Sequence, residues 1–342
     1  MTLVLQDDTW FAGLHLFQGI EWNHMSSVAR FELDAIRVRT IWGIIIFRWC
    51  VVTLLLAIAI PAFADGGQIN CDALKSKVLA EDIHYCVSLP AGYETTIADH
   101  NFRGYPILYF LHGLGENEQT LFKTGGWNLV EDLRQQKKIG DFVIVTPEAK
   151  GSFYINSADG KVRYSDFFLH ELMPYIEQKY HVRSERTARG VSGISMGGYG
   201  ALRMAFAHPE LFSSVSAEGA ALMTENPQEL DDAISSSGMP VNHLMGRVFG
   251  NPINVRHWKE NDPLRLAKQN STAIRKLAIY FNCGKDDDFG FESGARQLDR
   301  ELTAEKVKHE FHLYPGDHSG AYFLAHLGEA MEFHSKAFAG PN

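Results

Sequence analysis

Short, largely apolar segments recur along the chain from residue 106 onward, and each ends at a glycine, a proline or a polar turn. They occupy residues 106–111, 142–146, 187–193, 212–216, 277–283 and 309–314. Within these segments polar residues seldom alternate with apolar ones, which is typical of strands buried on both faces of a parallel sheet. Residues 77–89 do alternate and predict one further strand. A chain with this pattern is expected to fold around a central sheet.

Segments with helical periodicity fill the intervals between the predicted strands. They lie at residues 127–133, 167–176, 199–207, 295–302 and 323–338. A regular alternation of strand and helix predicts an α/β fold, in which right-handed crossover helices flank a mostly parallel sheet. The sequence shows no linker, low-complexity tract or internal repeat, so residues 65–342 are expected to form a single domain.

Residues 220–270 interrupt this alternation between two predicted strands. They contain Met223, Met239, Met245, Phe249 and Trp258, and we interpret the stretch as a cap-like insertion over one end of the sheet. Two roles for these side chains agree with the sequence. They either form an apolar pocket for a ligand or pack the cap against the domain.

The composition narrows the classes of protein to which the chain can belong. Of its 342 residues, 45% are hydrophobic and 21% are charged, which is ordinary for a folded protein and excludes a disordered one. The formal net charge is -9, and Lys and Arg form no block. Because a nucleic-acid-binding protein is expected to carry a basic stripe, we predict no nucleic-acid partner.

Residues 1–64 have the features of an N-terminal extension with a secretory signal. Arginines precede an apolar run at residues 49–60, and a small-x-small ending closes at Ala64. This order predicts cleavage after Ala64 and export to the periplasm or the medium. In the alternative interpretation, residues 41–64 are not cleaved off and serve as a membrane anchor. The apolar residues of this segment, taken together, are about as many as a helix needs to span a bilayer. Met25 is a second candidate for the translation start.

The chain has 4 cysteines, too few to form the main scaffold of the fold. Cys71 and Cys86 lie close together near the predicted mature N-terminus. In an oxidising compartment they either form a disulfide or remain two free thiols, and the sequence leaves both open. Cys283 ends an apolar segment and is expected to be a small buried side chain.

The strongest chemical signal is the G-x-S-x-G motif at residues 193–197, which lies between a predicted strand and a helix rich in small residues. In that context the motif describes the sharp turn that exposes a nucleophilic serine at the top of an α/β sheet. Gly193 and Gly197 would let strand and helix approach closely. Ser195 is therefore the predicted nucleophile.

A serine hydroxyl is a weak nucleophile unless a general base lies beside it. His318 follows the last predicted strand, in the loop at residues 315–320, and is the predicted base. The orienting acid is expected after the preceding strand, where Asp286, Asp287 and Asp288 are consecutive. Residue spacing does not choose among these three. The order serine, acid, histidine is that of the α/β-hydrolases.

Acyl transfer also needs hydrogen-bond donors where negative charge develops on the carbonyl oxygen. The backbone N–H of Met196, next to the nucleophile, is one predicted donor. The second is expected from the glycine-containing loop at residues 112–115, where we favour the N–H of Leu114. His112 in the same loop is interpreted as a buried, hydrogen-bonded anchor rather than a base.

These motifs resemble the esterase D group of α/β-hydrolases, which includes S-formylglutathione hydrolases, feruloyl esterases and mycolyltransferases. The resemblance rests on HGLG at residues 112–115 and GISMGGYGAL at residues 193–202. Further matching strings lie at residues 171–176, 208–212, 249–250, 261–264 and 315–318, so the resemblance covers about residues 76–338. It implies an α/β-hydrolase fold, no cofactor and no metal. It also selects Asp287 as the acid, three residues after Gly284.

The resemblance implies a serine ester hydrolase that acts through an acyl-enzyme intermediate, and the predicted signal implies that it is exported. Its expected substrate is a small-molecule or polysaccharide-linked ester. Two related activities use the same residues: acyl transfer of the mycolyltransferase type, and hydrolysis of a thioester such as S-formylglutathione. Export disfavours the thioesterase, because S-formylglutathione hydrolases act in the cytosol. A non-catalytic binding protein with a retained hydrolase fold is the alternative from another class. The oligomeric state is left open.

Overall fold

The computed structural model describes residues 66–224, 227–228, 230–231 and 243–340. Residues 64–342 form one unit. The predicted signal, anchor and start site lie outside the described residues. Among the helices that the structure describes, none is both long and apolar enough to cross a membrane.

The centre of the fold is an eight-stranded sheet with the strand order β1-β2-β4-β3-β5-β6-β7-β8. β1 pairs antiparallel with β2 and β2 with β4, whereas every pairing from β4 to β8 is parallel. The strands are β1 (Gln68–Lys75), β2 (Asp82–Leu89), β3 (Ile107–Leu111), β4 (Val143–Pro147), β5 (Arg189–Ile194), β6 (Ser214–Glu218), β7 (Ala278–Gly284) and β8 (Glu310–Tyr314).

Helices flank this sheet, and most of them connect parallel strands. A π-helical turn (Phe168–Leu172) and a 3-10 turn (Arg186–Ala188) lie between β4 and β5. The described α-helices are α1 (Tyr93–Ile97), α2 (Thr120–Lys123), α3 (Gly126–Gln135), α4 (Tyr164–Phe167), α5 (Met173–Lys179), α6 (Met196–Ala207), α7 (Leu244–Phe249), α8 (Val255–Asn261), α9 (Pro263–Gln269), α10 (Ser271–Ile274), α11 (Phe291–Ala304) and α12 (Gly320–Ala339).

Two hydrophobic clusters explain why β3 and β4 are almost continuously apolar. In β3, the side chains of Ile107, Tyr109 and Leu111 point to one face of the sheet. They pack in one cluster with Leu202 of α6. Leu108 and Phe110 point to the other face and pack with α3 and α12. Since both faces are covered, every residue of β3, β4 and β6 is buried. The mostly parallel sheet predicted from the sequence is confirmed.

The N-terminal edge of the sheet differs from the prediction over residues 77–89. Only Asp82–Leu89 form a strand there, while residues 68–75 form β1, which the sequence did not predict. β1 is mostly exposed and carries no apolar pattern. It is held by its pairing with β2, in which Cys71 and Cys86 face each other and form a disulfide. Cys283 is free and buried, as expected.

The cap-like insertion lies between β6 and β7 and includes α7, α8 and α9. Met245 and Phe249 are buried in the main core, where the Phe249 ring lies 6.2 Å from that of Phe153 and 6.4 Å from that of Tyr199. These two side chains therefore pack the insertion against the domain rather than forming a ligand pocket. Met239 lies outside the described residues.

Candidate active site

Ser195 lies at the sharp turn between β5 and α6. Its backbone has φ 53°, in the left-handed region that residues with a side chain rarely adopt. The N–H of Ser195 donates to the carbonyl of Glu218, and its own carbonyl accepts from the N–H groups of Tyr199 and Ala221. These bonds hold a strained conformation that projects the side chain away from the sheet.

The glycines of the motif allow this turn. A Cβ at Gly193 would lie 2.3 Å from the carbonyl oxygen of Gly197, and one at Gly197 would lie 2.0 Å from the carbonyl oxygen of Leu111. No side chain fits at either distance. The close approach of strand and helix that the sequence implied for these two positions is present.

His318 and Asp287 complete a hydrogen-bonded chain with Ser195. The Oγ of Ser195 lies 2.8 Å from Nε2 of His318, and Nδ1 of His318 lies 2.7 Å from Oδ2 of Asp287. Because a carboxylate accepts at Nδ1, that nitrogen carries the proton and Nε2 is free to accept from the serine hydroxyl. The structure thus brings the predicted nucleophile, base and acid into one array.

Asp287 is distinguished from its two neighbours by burial and by hydrogen bonding. Burial by itself would raise its pKa. The hydrogen bond and charge of His318, together with the N–H groups of Phe291 and Phe289, outweigh burial and lower the pKa of Asp287. Asp286 is exposed, and Asp288 accepts instead from the backbone N–H of His318. The carboxyl that the resemblance selected is the one that faces the imidazole.

Aromatic rings enclose the imidazole on several sides. The centroid of the His318 ring lies 5.0 Å from that of Phe289, 5.3 Å from Phe291 and 5.1 Å from Phe323, each in an edge-to-face arrangement. They limit the rotation of the ring and exclude water from its edges. Sequence reasoning did not assign these rings to the site. The Asp-Phe-Gly string at residues 288–290 was the available signal.

The predicted oxyanion residues lie in the wall of the same cleft. Leu114 and Met196 both line the cavity of about 530 Å³ that holds Ser195 and His318. Met196 begins α6, so its N–H belongs to the first turn of that helix and has no partner within it. A larger cavity of about 640 Å³ adjoins this cleft and shares Leu114 with it, but does not contain Ser195.

His112 anchors the loop that carries Leu114. Its Nε2 accepts from the N–H of Ala149 at 3.0 Å, so Nδ1 is the donor to the carbonyl of Gly113 at 2.8 Å. Its ring is buried away from the cleft. The interpretation of this histidine as a buried loop anchor is confirmed.

No group of three or more His, Cys, Asp or Glu side chains that could hold a metal ion occurs among the residues described. A serine hydroxyl, a neutral imidazole and a buried carboxylate in this geometry can transfer an acyl group.

The chain matches the family described as Putative esterase over residues 76–334. It belongs to this family. An esterase of Mycobacterium tuberculosis is 28% identical over 251 residues, which cover 68% of this chain and 51% of the relative. The protein thus spans about half the length of that relative.

Two further relatives extend the comparison. An acetyl esterase of Caldicellulosiruptor saccharolyticus is 27% identical over 236 residues, covering 67% of this chain and 83% of the relative. The solved structure of a ferulic acid esterase superposes with a TM-score of 0.67 and 25% identity, covering 80% of this chain and 99% of that structure. The resemblance inferred from the motifs is confirmed, and the fold of this family member is that of the α/β-hydrolases.

Proposed function

We propose that this protein is a serine ester hydrolase in which Ser195, His318 and Asp287 form the catalytic triad. The observation that carries the proposal is the pair of hydrogen bonds, 2.8 Å and 2.7 Å long, that joins the three side chains at a strained serine turn. Membership of an esterase family and the likeness to an acetyl esterase and a ferulic acid esterase support it.

In the first half of the reaction, the Oγ of Ser195 forms a bond to the ester carbonyl carbon while its proton passes to Nε2 of His318. The carbonyl oxygen becomes an oxyanion, which the N–H groups of Leu114 and Met196 stabilise. Loss of one such donor typically costs about 3–4 kcal/mol in the transition state. The ester C–O bond then breaks, and His318 gives its proton to the departing alcohol.

In the second half, water attacks the acyl-enzyme and transfers a proton to His318. The bond between the acyl carbon and Ser195 breaks, the serine recovers the proton, and the carboxylic acid leaves. Asp287 stabilises the imidazolium in both halves and holds the required tautomer. In acyl transfer, an acceptor alcohol would attack the acyl-enzyme in place of this water.

We further propose that the mature protein is exported and begins at Asp65. The disulfide between Cys71 and Cys86 supports this, because disulfides persist mainly in oxidising compartments. Mass spectrometry of the exported protein checks the proposal, with a chain that begins at Asp65 as the expected result. A chain that retains residues 41–64 in the membrane fraction would contradict cleavage.

Steady-state hydrolysis of 4-nitrophenyl esters of increasing acyl length tests the triad. We expect Ser195→Ala and His318→Ala each to lower kcat by about 10⁶-fold, and the double variant to be little worse, because the two residues act as a unit. His84→Ala, which removes an exposed imidazole on β2, is the matched control and should retain activity. Near-normal turnover by Ser195→Ala would overturn the proposal.

A further inference from the structure

The triad cleft opens onto two further cavities of different chemistry. The cavity of about 640 Å³ is lined in part by Lys150, Arg247 and serine hydroxyls. On the other side, an apolar cavity of about 340 Å³ lies between α2 and α12. One charged side chain lines all three spaces, that of Glu116. A substrate that extends from Ser195 into either cavity therefore passes this carboxylate.

The carboxylate of Glu116 is fixed in place beside the nucleophile. Its Oε2 accepts from the N–H of Gly113 at 2.8 Å, and its own N–H donates to the carbonyl of Gly113 at 3.3 Å. A Cβ placed on Gly113 would lie 3.2 Å from Oε2 of Glu116 and 3.6 Å from Cβ of Ser195. The carboxylate and the nucleophile thus border the same small space.

No cation among the described residues forms an ion pair with Glu116. Another acid that lines the larger cavity does have a cationic partner, since Glu81 pairs with Lys150 at 2.6 Å. The described lining of the triad cleft contains Glu116 and Asp288 but no Lys or Arg. The Asp, Glu, Lys and Arg side chains in the described lining around Ser195 are consequently all acidic.

We propose that Glu116 determines substrate charge, so that the cleft accepts neutral or cationic esters and rejects those with an anionic group near the ester. The inference rests on the proposed ester hydrolysis and adds to it a residue that discriminates between esters by their charge. The hydrogen bond from the N–H of Gly113 keeps this carboxylate beside the path of an approaching anion. Two unit charges about 6 Å apart, at an effective dielectric constant of about 20, repel strongly enough to lower kcat/KM about a hundredfold.

The test compares two esters of nearly equal shape, methyl butyrate and methyl hydrogen succinate, which differ in a terminal carboxylate and release methanol only when hydrolysed. We expect the wild-type protein to prefer the butyrate. Glu116→Gln keeps an oxygen that can accept from Gly113, so the loop is retained while the charge is lost. In this variant the ratio of kcat/KM for the succinate to kcat/KM for the butyrate should rise about tenfold or more.

Ionic strength provides a second readout that needs no variant. Salt should weaken the preference of the wild-type protein and leave that of Glu116→Gln nearly unchanged, because screening acts on charge pairs. Glu310→Gln, an exposed carboxylate at the start of β8, makes the same change in net charge and should not alter the preference. An unchanged preference in an active Glu116→Gln would overturn the inference. Failure of the wild-type protein to hydrolyse either ester would instead overturn the proposed function.

Discussion

Glu218 ends β6 in an unusual environment for an acid. Its side chain is fully buried, and neither carboxyl oxygen has a hydrogen-bond partner. Asn282 of β7 and Ile194 of β5 are its neighbours in the sheet. Burial, with a smaller contribution from the charge of Glu329, raises the pKa of Glu218 from 4.5 to about 8. Its carboxyl is thus neutral in the folded protein at neutral pH.

This raised pKa gives a prediction for stability against pH. Below pH 4.5 the carboxyl is protonated in both the folded and the unfolded chain. Between pH 4.5 and about 8 only the unfolded chain ionises at this residue, so its contribution to stability falls as pH rises and is lost above about 8. At about 1.4 kcal/mol per pKa unit, the loss amounts to about 5 kcal/mol.

Glu218→Gln removes the titration while keeping a neutral side chain of similar size. We expect the free energy of unfolding of this variant to be within about 1 kcal/mol of wild type at pH 5 and several kcal/mol higher at pH 9. Urea unfolding followed by fluorescence at both pH values measures the difference. Glu310→Gln, on the surface, should show no such pH dependence. A difference between Glu218→Gln and wild type that is the same at pH 5 and pH 9 would refute the reasoning.

Two further predictions concern the acid of the proposed triad and the disulfide. Asp287→Asn should lower kcat about 10⁴-fold in steady-state assays, because the imidazole loses its orienting carboxylate. Asp286→Asn should have little effect on kcat, and equal effects of the two substitutions would contradict the assignment of Asp287. Reducing the bond between Cys71 and Cys86, which are 15 residues apart, should lower the free energy of unfolding by about 3 kcal/mol, and unchanged urea unfolding in reductant would contradict that expectation.

The parallel part of the sheet was predictable because its strands are buried on both faces. β3 and β4 consist almost entirely of apolar residues that must leave water, and the proline, glycine and polar residues beside them mark their ends. β1 gave no such signal. Its residues are mostly exposed, so its position depends on pairing with β2 and on the disulfide, which are tertiary interactions.

The site was predictable where a residue type is required by the geometry of a turn. Ser195 and its flanking glycines belong to a local motif, and His318 follows the last strand. The choice among the three consecutive aspartates depends on which carboxyl the loop after β7 turns inward. Consecutive residues of one type carry no information about that orientation, and only the family resemblance selected Asp287.

Glu116 and Glu218 were not identified from the sequence for a different reason. Each is a single acid whose significance comes from what surrounds it in the fold: a cleft without Lys or Arg in its described lining for the first, and full burial for the second. Neither property leaves a pattern in the neighbouring residues. The packing of the insertion through Met245 and Phe249 is a similar case, since both roles weighed for those side chains require apolar residues.

Covalent labelling with a fluorophosphonate tests the central claim most directly. The reagent forms a stable bond with a serine that is activated by a neighbouring base. After digestion, mass spectrometry should place one adduct on the peptide that contains Ser195, and both Ser195→Ala and His318→Ala should abolish or greatly slow labelling. An adduct on a different serine, or labelling of Ser195→Ala at the wild-type rate, would contradict the account.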